Sequence, residues 1–469
     1  MWRHYTGLAV ILFECILLVW PLNAAGSHDI FGVEEYVASG QFALNSNAAI
    51  CQKNRIQNKL PLADVVELSL CNNPQTRSVW ANARVQAALF GSSMSSYLPT
   101  LTGPISVSTS RNQSGGATTE SVQNSVGLNA SYLLYDFGGR EASVENAKQL
   151  LVAVNATRDE TLQAVFLNAV QSYYALLSAR ASVQSFQVAE AAASKSLDAA
   201  QARYQAGTAT LNDRLQAQTA LSQSVLNRIR AEGDAANAQG TLANVMGFDA
   251  SQSFELAPVP EHSPDPMAEQ SIGKLITEAR QNRPDLLAAE AQIKAAEANV
   301  VATKAAGLPS FSLTGGISRS ESQITGGGNT INYGNNLTVS ASIPWFSGFR
   351  NTYQNRAAQA QLEGTVAERD RVANQIALEV WKAYQALLTN SQALRAADDL
   401  VASAEQSEKM TLGRYKSGVG SILDTLTAQS TLASAHQQRI SALYNFMGSK
   451  FALAQSIGQL DLTLLGSKN

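Results

Sequence analysis

The chain has 469 residues, enough for two or three domains, yet only 15% of them are charged, against about 25% in typical domains. Alanine and uncharged polar residues replace the missing charges, a composition that suits close packing of helices and polar, uncharged surfaces. The formal net charge of −3 excludes the basic footprint of a nucleic-acid-binding protein. We therefore expect no nucleic acid among the partners.

Residues 1–25 have the organisation of a secretory signal peptide. Arg3 and His4 precede an apolar run over residues 8–22, which only Glu14 interrupts. The run is too short for a membrane-spanning helix, and no later stretch has 18 uninterrupted apolar residues. The sequence therefore predicts an exported chain that is periplasmic, secreted, or inserted in a membrane as a β-barrel.

Two of the three cysteines, Cys51 and Cys71, remain after removal of the signal peptide, which contains Cys15. An exported chain enters an oxidising compartment, where a disulfide closing this loop would contribute about 3 kcal/mol. The alternative is two independent buried thiols. No histidine of the mature chain lies near a cysteine or a pair of carboxylates in the sequence, so we predict no metal site and no cofactor.

Two stretches, residues 202–221 and 413–432, align without a gap at an offset of 211 residues. Each lies within a long helix-forming region and has one central glycine, Gly207 or Gly418. We predict that each stretch is the tight turn of a long helical hairpin, with its glycine at the positive φ that often ends a helix. The similarity extends well beyond these stretches. A period near 210 residues is too long for a solenoid repeat and indicates an internal duplication.

Proline and glycine positions divide the mature chain into two corresponding halves. Residues 140–205, which follow Gly139, contain neither proline nor glycine, which predicts a helix of about 100 Å over 139–205. A second long helix is predicted over 349–416, and a shorter one over 61–97. The predicted segments are an N-terminal extension (26–60), a first repeat (61–246, with strand hairpin 99–137 and helical hairpin 139–246), a proline-rich linker (247–270), a second repeat (271–456, with strand hairpin 309–346 and helical hairpin 349–456) and a C-terminal tail (457–469).

Apolar residues alternate with Ser, Thr, Asn and Gly in both strand hairpins, with loops near 111–120 and 325–329. This period of two predicts four strands per chain, the last of them continuing to Trp345. Such strands, with one apolar and one polar face, are typical of outer-membrane barrels, whereas the alternative is a soluble antiparallel sheet with one wet face. Aromatic residues near the hairpin bases are candidates for a membrane-interface girdle: Tyr135, Phe137, Trp345 and Phe346.

Four strands cannot close a barrel, and lipid does not tolerate open sheet edges. The chain must therefore oligomerise. Two copies would give a barrel of eight strands, whose interior is plugged by side chains, whereas three copies would give twelve strands and an open lumen. Long helices that leave the base of the barrel would continue this lumen. The predicted fold class is an α+β membrane protein, a trimer in which a 12-stranded outer-membrane β-barrel, four strands per chain, is continued by a long α-helical barrel.

The order and spacing of these features resemble the TolC-like outer-membrane efflux and secretion proteins over almost all of the mature chain. The resemblance rests on the duplicated halves, Leu-Pro before each strand hairpin (98–99 and 308–309), Phe-x-Gly after it, and Arg-Tyr-x-x-Gly…Asp at each tip. It implies a homotrimer in contact with outer-membrane lipid, with a helical barrel that extends through the periplasm of a Gram-negative cell. It also implies two partners, a periplasmic adaptor and an inner-membrane ABC exporter or proton-driven pump. Cys51 and the segment 70–77 resemble most the members that serve type I protein export.

Asp213, Tyr415 and Asp424 match, position by position, the gate and the electronegative ring at the family's closed tip. Two positions depart from the family pattern. Gly420 stands where the best-known member has a gating arginine, and Thr427 stands where it has a second ring aspartate. Closure of this tip then requires other hydrogen-bond donors.

Arg214 and Arg414 are the candidate donors for that closure. The aspartates also have an alternative role, because Thr210-x-x-Asp213 and Ser421-x-x-Asp424 both resemble capping boxes at the start of the returning helices. Capping alone would explain these carboxylates without any role in a pore.

The exposed tips that carry Gly207 and Gly418 are candidates for adaptor docking, although the turn itself already requires small residues there.

The function implied by the resemblance is a passive outer-membrane exit duct in type I protein secretion. The alternatives are a multidrug efflux component, a trimeric coiled-coil adhesin and a periplasmic adaptor. The sequence contains no nucleophile–base pair at a recognisable spacing and no phosphate-binding loop, so we do not expect an enzyme.

Overall fold

The computed structural model describes residues 29–38, 59–114, 117–257, 271–324 and 327–460. The predicted signal peptide, Cys51, most of the predicted linker and residues 461–469 of the tail lie outside these ranges. The elements in chain order are helices α1 (Glu35–Ala38), α2 (Leu62–Asn72) and α3 (Pro74–Met94), a 3₁₀ turn (Ser95–Tyr97), strands β1 (Thr100–Thr102), β2 (Ile105–Ser114) and β3 (Ala117–Tyr135), helices α4 (Gly139–Gln205), α5 (Leu211–Val245), α6 (Ile272–Asn282) and α7 (Pro284–Ala305), strands β4 (Ser310–Ile324) and β5 (Asn329–Ser342), and helices α8 (Arg350–Lys416) and α9 (Ile422–Ser456).

Helices α4 and α8 each have 67 residues, a length of about 100 Å at the α-helical rise. Their bounds confirm the two long helices predicted from the sequence to within one residue. Helices α5 and α9 return from the tips over 35 residues each. Each long helix begins after a left-handed residue, Gly138 (φ 85°) or Phe349 (φ 64°). The chain therefore passes from sheet to helix through a sharp turn.

The prediction of a single helix over 61–97 is wrong, because the helix is interrupted at Asn73. This residue is extended (φ −61°, ψ 128°), and its side chain accepts a hydrogen bond from the Gln75 N–H. Pro74 follows as the first residue of α3, and a proline disfavours the helical conformation in the residue before it. Pro284 makes the same break between α6 and α7.

The strands form one antiparallel sheet in the order β1/β2, β3, β4, β5. Strands β1 and β2 both pair with β3 and are one strand interrupted at Gly103 and Pro104. Strand β3 continues along β4, so the two halves of the chain share one sheet. Within the described residues, the outer edges of β2 and β5 pair with no other strand. One chain thus contributes the equivalent of four strands, with both edges open.

The loop predicted near 111–120 is wrong, because β2 and β3 remain paired through almost all of it. Arg111 lies opposite Glu120, and their side chains form an ion pair at 3.1 Å. The Ser-, Thr- and Asn-rich composition that suggested a loop belongs to paired strands.

The last strand is shorter than the alternation predicted, since β5 ends at Ser342 and Trp345 lies beyond it. Pro344 has no N–H to donate to a neighbouring strand. The period of two in the sequence therefore continues three residues past the hydrogen-bonded ladder, to Trp345.

The two faces of the sheet differ in chemistry, because successive side chains of a strand point to opposite sides. One face carries only hydroxyl, amide and small side chains along most of its length, and none of its described residues is charged. Serine pairs bridge neighbouring strands on this face at 2.6 to 2.8 Å. Members of this polar face in register across the sheet are Ser106, Ser108 and Ser110 of β2, Gln123, Ser125 and Asn129 of β3, Thr314, Gly316 and Ser318 of β4, and Gly334, Asn336 and Thr338 of β5.

The main core lies near the middle of the long helices. There α2 packs against α4 and the end of α5, with Phe166 and Leu242 fully buried. Helix α6 packs against α8 in the same way, around Leu275 and Val380. None of the helices in the described ranges is long and apolar enough to cross a membrane.

Candidate gate at the helical hairpin tips

Both hairpin tips turn on a glycine with positive φ, as the sequence predicted. Gly207 has φ +73° and Gly418 has φ +82°. At the first tip the Thr208 N–H donates to the Arg203 carbonyl at 2.9 Å, and at the second the Val419 N–H donates to the Arg414 carbonyl at 3.1 Å. These bonds satisfy carbonyls at the end of α4 and α8 that the helix itself leaves unpaired.

The two predicted capping boxes differ in the structure. At the first tip the box is complete, because the Thr210 N–H donates to Asp213 Oδ2 at 2.9 Å and the Asp213 N–H donates to Thr210 Oγ1 at 3.2 Å. At the second tip Ser421 Oγ accepts instead from the Leu423 N–H at 3.1 Å. The box predicted for Ser421 and Asp424 is therefore wrong. The Asp424 carboxylate has no hydrogen-bond or ion-pair partner in the described part of the chain.

The predicted donors, Arg214 and Arg414, do not contact the aspartates within the described residues. The Arg214 guanidinium lies over the Tyr204 ring of its own hairpin, 5.3 Å from the ring centre. Arg414 makes no polar side-chain contact in the same ranges. The structure thus brings neither arginine to Asp213 or Asp424 in a single chain.

Arg203 is a tip residue whose role was not predicted from the sequence. Its Nη1 donates to the Tyr415 carbonyl at 2.8 Å, and its guanidinium lies 4.7 Å from the centre of the Tyr415 ring. The signal available in the sequence was the alignment of Arg203 with Arg414 in the repeated Arg-Tyr motif. That alignment could not show that the arginine of one tip binds the tyrosine of the other.

Among the predicted cysteines, Cys71 is disulfide-bonded. Cys51, its predicted partner, lies outside the described residues, so the pairing stays a prediction.

The aromatic residues predicted at the membrane interface lie at one end of the sheet, where β3 and β5 end. The rings of Tyr135 and Phe137 are 4.8 Å apart between centres. Trp345 and Phe346 are 88% and 76% exposed, and Phe346 contacts Phe349 at 5.5 Å between ring centres. Such exposed aromatic side chains are available for contact with lipid. Their role at the membrane interface remains a prediction.

A buried charge network lies in the middle of the molecule, far along the sequence from the tips, and no motif in the sequence marks it. Arg283 is 6% exposed, and it donates from Nε to Asp285 Oδ1 at 3.0 Å and from Nη2 to Glu379 Oε2 at 2.8 Å. Burial raises the pKa of Glu160, and Asp285 raises it further, although Arg283 opposes both effects. No group of three or more His, Cys, Asp or Glu side chains in the described ranges could hold a metal ion.

Comparison with known proteins identifies the class. The family model described as outer membrane efflux protein matches residues 65–248 and 275–459. The chain therefore belongs to the outer membrane efflux protein family. This assignment confirms the TolC-like resemblance and the outer-membrane location that the sequence predicted.

Individual relatives agree with this assignment. The chain is 29% identical to protein CyaE of Bordetella pertussis over 406 residues, 86% of this chain and 84% of the relative. It is 25% identical to the outer membrane protein TolC of Vibrio cholerae over 85% of this chain and 91% of the relative. Among solved structures, the outer-membrane channel OprN has a TM-score of 0.74 at 20% identity, covering 91% of this chain and 95% of that chain. The likeness to OprN shows the fold alone.

Proposed function

We propose that this chain is the outer-membrane exit duct of a tripartite export system. It works as a homotrimer in which three sheets close a 12-stranded barrel and the duplicated helical hairpins continue it as a tube through the periplasm. A periplasmic adaptor docks at the tips around Gly207 and Gly418, and an inner-membrane ABC exporter supplies the energy. The duct itself is passive and performs no enzymatic reaction.

The observation that carries this proposal is the sheet with two open edges and one uncharged polar face. Open edges are not tolerated in lipid, so copies of the chain must pair edge to edge. The unpaired edges of β2 and β5 are antiparallel partners available for this pairing. Closure places one face of every sheet inside the barrel. The hydroxyl and amide face suits a water-filled lumen, and the face with Leu337 and Val339, which are 78% and 67% exposed, suits lipid.

At the opposite end of the tube, threefold symmetry would bring the carboxylates of three chains together. A trimer places three copies of Asp213 and three of Asp424 around a narrow axis, and such acidic rings favour cations. Asp424, which has no partner in the described part of the chain, is the stronger candidate for this role, because Asp213 is already engaged in the capping box.

Protein export and drug efflux are both compatible with this duct. Protein export is favoured by the likeness of the segment around Cys71 to type I secretion members, and by the 29% identity to CyaE. Drug efflux remains the alternative because the family description itself is efflux. A deletion strain distinguishes them. Loss of a secreted protein with unchanged drug sensitivity supports export, and the reverse result supports efflux.

The duct is tested with purified protein in detergent and in planar lipid bilayers. We expect the mass of three chains and single-channel currents. Replacing the tip carboxylates, Asp213→Asn and Asp424→Asn, should lower the preference for K⁺ over Cl⁻, whereas Asp249→Asn, which removes the same charge away from the tips, should not. A monomer that conducts no ions would refute the proposal, and unchanged ion selectivity would remove the aspartates from the pore.

A further inference from the structure

The side chain of Arg203 in the first hairpin tip binds the second hairpin tip of the same chain. Arg203 belongs to the last turn of α4, and Tyr415 to the last turn of α8. The arginine contacts this tyrosine twice, through a hydrogen bond to its carbonyl at 2.8 Å and by stacking at 4.7 Å from its ring centre. The tyrosine is 5% exposed, although it lies near the end of a long hairpin. The arginine therefore covers the ring as well as binding the backbone.

The backbone of the second tip is tightly packed around Gly420. A Cβ added to Gly420 would lie 3.0 Å from the Arg414 carbonyl carbon and 3.0 Å from the Tyr415 nitrogen. The Gly420 N–H also donates to the Arg414 carbonyl at 3.1 Å, which holds the turn tightly closed. A side chain here would force the turn to shift. The glycine at position 420 thus fits the close packing of this turn.

We infer that Arg203 is the positioning residue that holds the second hairpin tip against the first in the closed duct. It acts through the Tyr415 carbonyl and ring. It does not act through the tyrosine hydroxyl, because Tyr415 Oη is buried without a hydrogen-bond partner in the described ranges. This inference rests on the proposed duct function, since closure has a consequence only in a conducting trimer.

The contact combines two interactions of a charged group. A hydrogen bond from a charged donor and a cation–π contact together favour the closed arrangement by about tenfold or more in each chain. Three chains in a trimer carry three such contacts, so their loss should be visible in the open-to-closed ratio. Arg203→Lys keeps the charge but loses the planar stacking and the fixed geometry of the guanidinium. We therefore expect it to be intermediate.

The test is the K⁺ conductance of reconstituted wild-type and variant trimers in planar bilayers. We expect Arg203→Ala to raise the open-to-closed ratio about tenfold or more, with an unchanged melting temperature. Lys416→Ala is the control, because it also removes one positive charge near the tips, and its side chain is exposed in the last turn of α8. This control should behave as wild type.

Variants of Tyr415 distinguish closure through its carbonyl and ring from closure through its hydroxyl. Tyr415→Phe should keep the wild-type ratio, and Tyr415→Ala should match Arg203→Ala. Opening of Tyr415→Phe to the level of Arg203→Ala would overturn the inference in favour of a hydroxyl lock. A conducting Arg203→Ala trimer with the wild-type ratio would overturn it as well.

Amide hydrogen exchange provides a second readout that does not depend on conductance. Arg203→Ala should speed exchange at both tips, 203–210 and 413–420, whereas Arg214→Ala should speed it only at the first. Unchanged exchange at 413–420 in Arg203→Ala would contradict the tie between the tips. If wild type does not conduct but exchange behaves as expected, the duct proposal fails and the contact itself stands.

Discussion

The Arg158 guanidinium lies 4.5 Å from the centre of the Trp80 ring and is 1% exposed. It also donates to the Val37 carbonyl and to the Asp159 carboxylate. The N-terminal segment 29–38 is held to the long helix α4 by Arg158, by Asn155, whose Nδ2 donates to the Tyr36 carbonyl at 2.8 Å, and by the buried Val33 and Val37.

Replacing Arg158 with alanine should release this segment. Loss of a buried, hydrogen-bonded charge costs about 3 kcal/mol, so we expect a lower melting temperature and faster protease cleavage within 29–38. The control is Arg369→Ala, the residue 211 positions later in the aligned second half. Its side chain is 37% exposed and pairs with Asp370 at 3.1 Å, so the expected loss is about 0.5 kcal/mol or less. Equal losses in both variants would show that burial of Arg158 does not hold the segment.

Gly247 follows helix α5 and lies against Asn72, the last residue of α2, so alanine should not be accepted there. Its φ is +78°, and an added Cβ would lie 2.6 Å from the Asn72 carbonyl oxygen. Gly247→Ala should therefore cost about 2 kcal/mol or more, from left-handed strain and from the clash. Gly233→Ala in the middle of α5, where no atom lies within 4 Å, should instead stabilise the helix by about 0.5 kcal/mol or more. Thermal unfolding of both variants measures the difference, and a tolerated Gly247→Ala would contradict the close approach.

The assignment of the sheet faces predicts opposite effects for neighbouring residues of β5. Thr338→Lys places a positive charge on the polar face, so a trimer in a bilayer should become less selective for cations. Leu337→Lys places it on the apolar face, where lipid contact costs about 2–4 kcal/mol near the bilayer centre, so less protein should reach the outer membrane. Membrane fractionation and reversal potentials measure the two effects. Normal insertion of Leu337→Lys with altered selectivity would mean that the faces are reversed.

Glu160 should make the molecule less stable as the pH rises. Its pKa in the folded chain is raised by burial and then by Asp285, so the unfolded chain loses this proton at a lower pH than the folded chain does. Stability then falls as the pH rises from the unfolded to the folded pKa, and it stays lower above both. Glu160→Gln should therefore raise the melting temperature at about pH 8 more than at about pH 4.5.

Glu363→Gln provides the control for this prediction, because Glu363 lies exposed on α8. We expect its effect on the melting temperature to be small and similar at both pH values. A Glu160→Gln variant that gains nothing at the higher pH would show that Arg283 fully offsets the burial of this carboxyl group.

Local patterns in the sequence were enough for the long helices and the tips. The absence of proline and glycine over 140–205 specifies a long helix without reference to any other part of the chain, and Gly207 and Gly418 mark the turns of the two helical hairpins. Composition misled at 111–120, because paired polar strands on a wet face use the same Ser, Thr and Asn residues as a loop.

The side-chain contacts that distinguish this chain were not predictable in the same way. Arg203 and Tyr415 are far apart in the sequence, and so are Arg283 and Glu379. In each pair, the sequence around one residue does not indicate which residue it contacts. Such pairs depend on how the two halves dock, which is a property of the whole packed chain.

The pairing of β3 with β4 has a consequence for the order of folding. Ser121 pairs with Ile324, so this ladder closes a loop of about 200 residues, whereas helices form from neighbours only a few residues apart. We expect the helical hairpins to form first and the strands of the sheet to pair last. The open strand edges would then appear only when the molecule is nearly complete, which shortens the time during which an unassembled chain can aggregate.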